Sequence, residues 1–192
     1  MILSESFNEL TKQQRLVQKI LWFAFTMSII FLFAMSYMLS ASMTGQAVMG
    51  SDFPKGIFAL AAVGLAAASV LIKRHFSSDS YITQKLTEEV NLETLATIPK
   101  TRQIDAERLA KLEKLEPFEQ SAFAFISAGT KSQIISLALN ESIMVLGLVL
   151  SILEQNATTA VPYAVAAIGL NILTYPKPEK ALERIAAKRR TM

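Results

Sequence analysis

Four long apolar stretches constrain this chain more than anything else in it: Ile20 to Leu39, Gly56 to Ile72, Gln133 to Leu153 and Thr159 to Tyr175. A hydrocarbon layer about 30 Å thick is crossed by roughly 17 to 25 helical residues, and each stretch is long enough. In lipid the backbone has only itself to hydrogen-bond with, so a crossing segment of this kind must be helical. The expected fold is all-α, an integral membrane four-helix bundle embedded in a lipid bilayer. Of the 192 residues 52% are hydrophobic and 18% charged, and mean hydropathy is +0.36, more apolar than an ordinary soluble domain. The first apolar run, at about 20 residues, is longer than the roughly 7 to 15 of a signal-peptide core. Ala41-Ser42-Met43 is also a poor cleavage site, so the run is expected to stay as a true span.

The charges give these spans a direction. Lys12, Arg15 and Lys19 precede the first span, Lys73 and Arg74 follow the second, and Lys131 precedes the third. Lys177, Lys180, Arg184, Lys188, Arg189 and Arg190 follow the fourth. The two remaining connections hold one basic residue, Lys55, with Asp52 and Glu154 nearby. The positive-inside rule then places both termini and the long middle connection in the cytoplasm. Trp22 and Tyr175 would mark the inner interface, and Tyr37, Phe53 and Tyr163 the outer one. The net charge of +3 is explained by orientation and by anionic lipid. No nucleic-acid partner is expected.

The resulting organisation is an N-terminal hairpin over residues 1–75 (spans 20–39 and 56–72), a cytoplasmic segment over 76–130, a second hairpin over 131–176 (spans 133–153 and 159–175) and a basic tail over 177–192. In the cytoplasmic segment Ser77 to Ser80 can cap a helix. Tyr81 to Ala96 is expected to be helical, Pro99 to interrupt it, and Asp105 to cap a charged helix through Leu115 whose polar face is solvated. Pro117 suits the first turn of another helix, expected to end near Gly129. Phe118, Phe123, Phe125 and Ile126 would load that helix toward a membrane surface or the inner end of the bundle. Thr130 and Gln133 are spaced as a capping box opening the third span. About 55 residues are few for an independent core, so this segment is expected to form a helical collar between spans two and three. In the tail, Ala181, Leu182, Ile185 and Ala186 form an apolar strip that could rest on the inner leaflet, with the basic side chains on anionic lipid headgroups.

Between helices in lipid, close approach at small residues replaces the hydrophobic drive. Such stripes run through Ala59, Ala62, Ala66 and Ser69 in the second span. The third has Gln133, Ser136, Asn140, Ile143, Gly147 and Ser151; the fourth has Ala160, Ala164, Ala167, Asn171 and Thr174. Leu65 is expected on the lipid side. The first span, rich in Phe and Met, shows no such stripe and should turn a wide side to lipid. Ser69, Ser136, Asn140 and Asn171 fall at similar depth and could share one polar layer that glues helices together.

Chemistry-bearing motifs are sparse. The chain has no cysteine, which excludes disulfides, thiolate metal sites and cysteine nucleophiles. No glycine-rich phosphate loop, metal-ligand cluster or nucleophile–base pair is present, so neither a cofactor nor an enzymatic activity is expected. His75, the single histidine, belongs to the basic run Lys73-Arg74-His75. Asn156-Ala157-Thr158 matches a glycosylation triplet, but close to a span.

Glu141 is the exception. An acid near the middle of a span costs about 2.5 to 3.5 kcal/mol on insertion scales, so its presence asks for a reason. It is expected to be buried, protonated and hydrogen-bonded, with Asn140 and Asn171 as candidate partners.

The run Glu141-Ser142-Ile143-Met144-Val145-Leu146-Gly147-Leu148-Val149-Leu150-Ser151-Ile152-Leu153 resembles the ion-carrying helix of rotary-ATPase proteolipids. In that family a membrane-embedded Glu is followed, after five residues, by Gly and an aliphatic run. The resemblance implies a proton- or sodium-binding carboxylate at Glu141. It covers this helix alone. The family's glycine-dense partner helix has no counterpart, because the second span holds only Gly56 and Gly64. Taken whole, the chain looks like small four-span proteins of the bacterial inner membrane, a likeness that implies a location and no activity. The function expected is that of a non-catalytic accessory, assembly or scaffold subunit, binding a protein partner or further copies of itself through its cytoplasmic helices. The alternative is a small ion- or proton-coupled carrier or channel component that uses Glu141.

Overall fold

The computed structural model of the chain describes residues 3–42, 53–97 and 103–189. Asp52, Pro99, Arg190 and the side chain of Phe53 lie outside the described residues. Eight α-helices are described: α1 Glu5–Ser42, α2 Phe53–Phe76, α3 Asp79–Thr87, α4 Leu92–Ala96, α5 Ala106–Glu113, α6 Pro117–Glu154, α7 Val161–Leu173 and α8 Pro178–Arg189. A 3₁₀ turn, Ala157–Ala160, leads into α7. Among the described residues every regular element is helical, apart from one antiparallel bridge between Thr97 and Ile104. Four helical segments are long and apolar enough to cross a membrane: Glu5–Ser40, Lys55–Phe76, Pro117–Glu154 and Ala157–Arg189. The last is interrupted after Leu173, where Pro176 has no N–H to continue the ladder.

The chain divides into two compact units, Met1–Gln18 with His75–Lys131 and Lys177–Met192, and Lys19–Arg74 with Ser132–Pro176. We call these unit 1 and unit 2.

Unit 1 has a core of its own. Phe7, Ile82, Leu86, Leu112, Leu115, Phe123, Phe125, Ile126 and Ile185 are buried together. Phe123, Phe125 and Ile126 are therefore covered by protein. So is the strip on α8, because Ile185 is fully buried and Leu182 packs against the same cluster; the strip faces the unit's interior and not a lipid leaflet. The caps read from sequence are in place: the Ser78 hydroxyl accepts from Tyr81 N at 3.3 Å and Asp105 Oδ1 from Arg108 N at 3.0 Å. The helix expected over Tyr81 to Ala96 is instead two, because Asn91 caps α4 through Thr94 N at 3.0 Å. The expected helix end near Gly129 is absent, and α6 runs unbroken from Pro117 to Glu154. Thr130 opens no capping box. Its hydroxyl donates to Ile126 O at 3.2 Å and accepts from Gln18 Nε2 at 2.9 Å.

One carboxylate ties unit 1 together. Glu119, only 1% exposed, accepts from Ser4 N at 2.6 Å and from the Ser4 hydroxyl at 2.8 Å. Ser4 in turn caps α1 through Phe7 N at 3.1 Å. In an ordinary capping box the acid three residues into the helix returns to the cap's N–H; here an acid on α6 does so for α1. Arg189 of α8 lies 3.8 Å from the same carboxylate, pairs with Glu116 and stacks over the Phe118 ring at 5.5 Å. Elsewhere in the unit Arg184 bonds Asp79 at 2.6 Å. This hydrogen bond, reinforced by the guanidinium charge, holds the Asp79 carboxyl below its ordinary value of 3.8.

Unit 2 is an alternating bundle. α1 and α6 run parallel, since Ser28 meets Glu141 and the Ser40 hydroxyl donates to Ser151 O at 3.3 Å. α2 is antiparallel to α6, with Lys55 3.2 Å from Glu154 and the Ser69 hydroxyl donating to Ser136 O at 3.4 Å. α7 turns back from α6 through a tight link. Gln155 takes a left-handed φ of 52°, and Asn156 N and Gln155 N close onto Ser151 O and Ile152 O at 3.0 and 3.2 Å, the Schellman pattern of a helix end. The small-residue faces of α6 and of α7 with its leading 3₁₀ turn point inward: Ala160, Ala164 and Ala167, and Ile143, Gly147 and Ser151, are buried. On α2 the phase is shifted. Ala62, Ala66 and Ser69 face the bundle, Ala59 is exposed, and Leu65 packs on the core instead of facing outward. α1 does have an inward stripe, through Ile29, Ser36 and Ser40. The outer surface is apolar, with Leu60 75%, Met38 72% and Val165 66% exposed.

Candidate functional site

The interior of unit 2 holds a polar cluster built by three helices. The 3.6-residue period that buries Ser136, Ile143 and Gly147 of α6 also buries Asn140, and the alanine face of α7 carries Asn171 inward. Both asparagines are 0% exposed. Asn140 Nδ2 donates to Asn171 Oδ1 at 2.9 Å and lies 3.5 Å from the Thr174 hydroxyl. Asn171 Nδ2 donates to the Thr26 hydroxyl of α1 at 3.2 Å, which donates to Trp22 O at 2.8 Å. Trp22 Nε1 returns to Asn171 O at 2.7 Å. The cluster is thus a closed relay between α1 and α7, to which Asn140 attaches α6. Buried amides are costly unless paired; these are paired with one another, apart from Asn140 Oδ1, which has no partner among the described residues.

Ser69 and Ser136 lie one helical turn along α6 from Asn140. Ser69 bonds the Ser136 carbonyl, and both residues are buried. The expected layer is therefore two adjacent contacts, α2 on α6 and α7 on α6, with α1 joined to the second. Trp22 and Tyr175 meet edge-on with ring centroids 5.0 Å apart. Tyr37 is exposed, whereas Tyr163 is buried against α6.

Glu141 stands apart from this cluster. One residue on from Asn140, it is turned about 100° around the helix and lies half-buried at the edge of the α1–α6 seam. The sequence suggested a buried acid bonded to Asn140 or Asn171; Glu141 is only partly buried and bonds to neither. The Ser28 hydroxyl of α1 donates to its Oε1, and among the described residues Oε2 has no hydrogen-bond partner. Ala138 and Val145, one turn to either side, are exposed.

Sequence reasoning missed Ser28, Thr26 and Glu119. The first two sit on α1, whose buried face is marked only by small polar residues among bulky apolar ones. Ser4, three residues ahead of Phe7, is the local signal that a helix begins there and that its cap needs an acceptor. Among the described residues no group of three or more His, Cys, Asp or Glu is placed to hold a metal ion. No family model, no curated protein and no solved structure matches the chain.

Proposed function

We propose that this chain is a multi-pass protein of the bacterial inner membrane with both termini and unit 1 in the cytoplasm. Its role is that of a non-catalytic accessory, assembly or scaffold subunit. The observation that carries the reading is the use of the polar groups in unit 2: Asn140, Asn171 and Thr26 bond to one another across three helices, while the outward side chains are apolar. Polar groups spent this way hold helices together and line no path. The orientation is supported by the charges. Lys55, the lone cation on the far side, is paired with Glu154 at 3.2 Å, whereas Lys19, Lys73 and Arg74 crowd the opposite helix ends, as the positive-inside rule demands.

Unit 1 supplies the surface for a protein partner. An open cleft of about 470 Å³ lies beside Glu88, Val90, Phe118 and Gln120. Lys177 and Lys180, both exposed, remain available to anionic lipid. Cysteine labelling tests the topology without background, because the native chain has none. Ser78→Cys should react with an impermeant reagent only in inverted vesicles, and reaction in intact cells would reverse the orientation. A pull-down in mild detergent should lose its partner on Val90→Glu; an unchanged set of bound proteins would dissociate partner binding from this cleft.

A second reading is favoured by one observation. Glu141 is half-exposed with a free oxygen, as a proton- or ion-carrying residue of the proteolipid type would be. Glu141→Gln would then abolish ion movement in reconstituted vesicles, whereas an accessory subunit would pass no ions before or after the change.

A further inference from the structure

We infer that a second copy of this chain docks on the α1–α6 face of unit 2, with Glu141 and Ser28 at the centre of a two-fold interface. This rests on the proposed placement of unit 2 in a bilayer. Glu141 falls near the middle of the Ser132–Glu154 part of α6 and Ser28 near the middle of the Lys19–Ser42 part of α1, so the pair lies at mid-depth. There the acid's one bond, from Ser28, leaves Oε2 without a partner among the described residues. Lipid tails offer neither donor nor acceptor.

The surroundings of the pair are shaped for close approach. Ser28 and Glu141 are 113 residues apart, so in this parallel pair Ala24 lies level with Leu137 and Ala138. Ala24 and Ala138 are both exposed and Ser142 is half-exposed. Small side chains thus occupy the turn on the Ala24 and Ala138 side of the carboxyl, while Met27, Phe31 and Val145, 46%, 63% and 41% exposed, flank it at its own level and on the other side. Small residues of this kind let a facing helix backbone come near.

The chemistry of the face selects its occupant. A carboxyl with its proton is both donor and acceptor. Two copies related by a two-fold axis therefore present each other with the group each lacks, and residue i meets residue i as in any isologous interface. No side chain of a different kind is needed. The outward face of α2, around Leu60 and Val63, carries no polar side chain and serves as the internal control.

The test uses the full chain reconstituted in phosphatidylcholine vesicles. Alkaline carbonate extraction comes first: release of the chain overturns the membrane placement and the interface with it. In the inserted chain, oxidation should link Ala138→Cys into a disulfide dimer and leave Leu60→Cys monomeric. Adding Glu141→Leu should lower the dimer yield about three- to tenfold, the range of one hydrogen bond between helices in lipid. Glu141→Gln, which still donates and accepts, should retain it. The emission of Trp22, the only tryptophan, reports that each variant keeps its fold. Equal linking at Ala138→Cys and Leu60→Cys, an inserted chain that stays monomeric, or a folded Glu141→Leu variant that dimerises undiminished would each overturn the interface and leave the membrane placement standing.

Discussion

Gly147 of α6 lies so close to Tyr163 of α7 that a Cβ built there would sit 2.5 Å from Tyr163 Cβ, 2.9 Å from Cγ and 3.2 Å from Cδ2. Carbon atoms rest about 3.5–4.0 Å apart, so Gly147→Ala requires roughly 1 Å more separation at the crossing. The nearest atom is the partner's Cβ, fixed to its backbone, and no rotamer change relieves the contact. Overpacking costs about 1–3 kcal/mol, and a clash with backbone-fixed atoms belongs in the upper half of that range. Replacing a helical glycine by alanine returns about 0.8–1.0 kcal/mol. The net loss should be about 1–2 kcal/mol, or roughly 2–8 °C in Tm for a chain of this length. Gly64→Ala is the matched control, because a Cβ there meets nothing within 4 Å; it should stabilise by up to about 1 kcal/mol. Thermal unfolding in detergent, followed by far-ultraviolet circular dichroism, measures both. Tyr163→Gly removes the opposing Cβ, so the double variant should recover at least about 1 kcal/mol relative to additivity. Equal Tm values for Gly147→Ala and Gly64→Ala would refute the close crossing of α6 and α7.

In unit 1, Glu119→Ala should destabilise by about 1–3 kcal/mol, because it leaves the Ser4 N–H and hydroxyl without their acceptor. Hydrogen exchange should localise the loss to the first turns of α1, and an unaltered exchange rate there would argue against the clamp. Asp79 titrates below its ordinary 3.8 because Arg184 bonds its charged form. A lowered folded-state value means the contribution is present above 3.8 and lost as pH falls through the folded value. Docking of α8 should therefore loosen only at strongly acidic pH, and Arg184→Gln should return the Asp79 carboxyl resonance to the ordinary range; an unmoved titration would exclude the pair. Gln155→Gly, at the left-handed residue ending α6, should stabilise by about 0.5–1 kcal/mol, and a loss in Tm would contradict that backbone conformation.

The inward faces of α6 and α7 could be read from sequence because their small residues repeat in phase with the helix. Once Ala160, Ala164 and Ala167 are placed inward, Asn171 must follow, and Gly147 and Ser151 bring Asn140 round to meet it. α1 was harder. Its inward positions Trp22, Ile29 and Ser36 recur every seven residues, as do Thr11 and Gln18, but Phe and Met between them mask the repeat. Without the rotation of α1, the partner of Glu141 cannot be found, because Ser28 becomes its neighbour only through the parallel register of α1 and α6. Helix ends failed for a related reason. Gly129 and Thr130 look like a stop and a start, yet Thr130 is held by Gln18 from a distant segment, and local signals yield when tertiary contacts cover the backbone.

The construction of unit 1 has a consequence for how the chain assembles. Its core draws on Phe7 from the first segment, Ile82, Leu112 and Phe123 from the middle one, and Ile185 from the last. Apolar stretches separate all three segments in sequence. The clamp has the same make-up, with Ser4, Glu119 and Arg189 contributed by α1's cap, α6 and α8. Contacts of such sequence separation carry the full loop-closure cost before any is repaid. The core cannot close until Ile185 and Arg189 have been synthesised, by which point the α1–α2 and α6–α7 segments are already made. The α6–α7 hairpin, by contrast, closes through a link of a few residues and carries Gly147 against Tyr163 and Asn140 against Asn171 locally. Closure of that hairpin is therefore expected to precede closure of the unit 1 core, which the C-terminal helix completes.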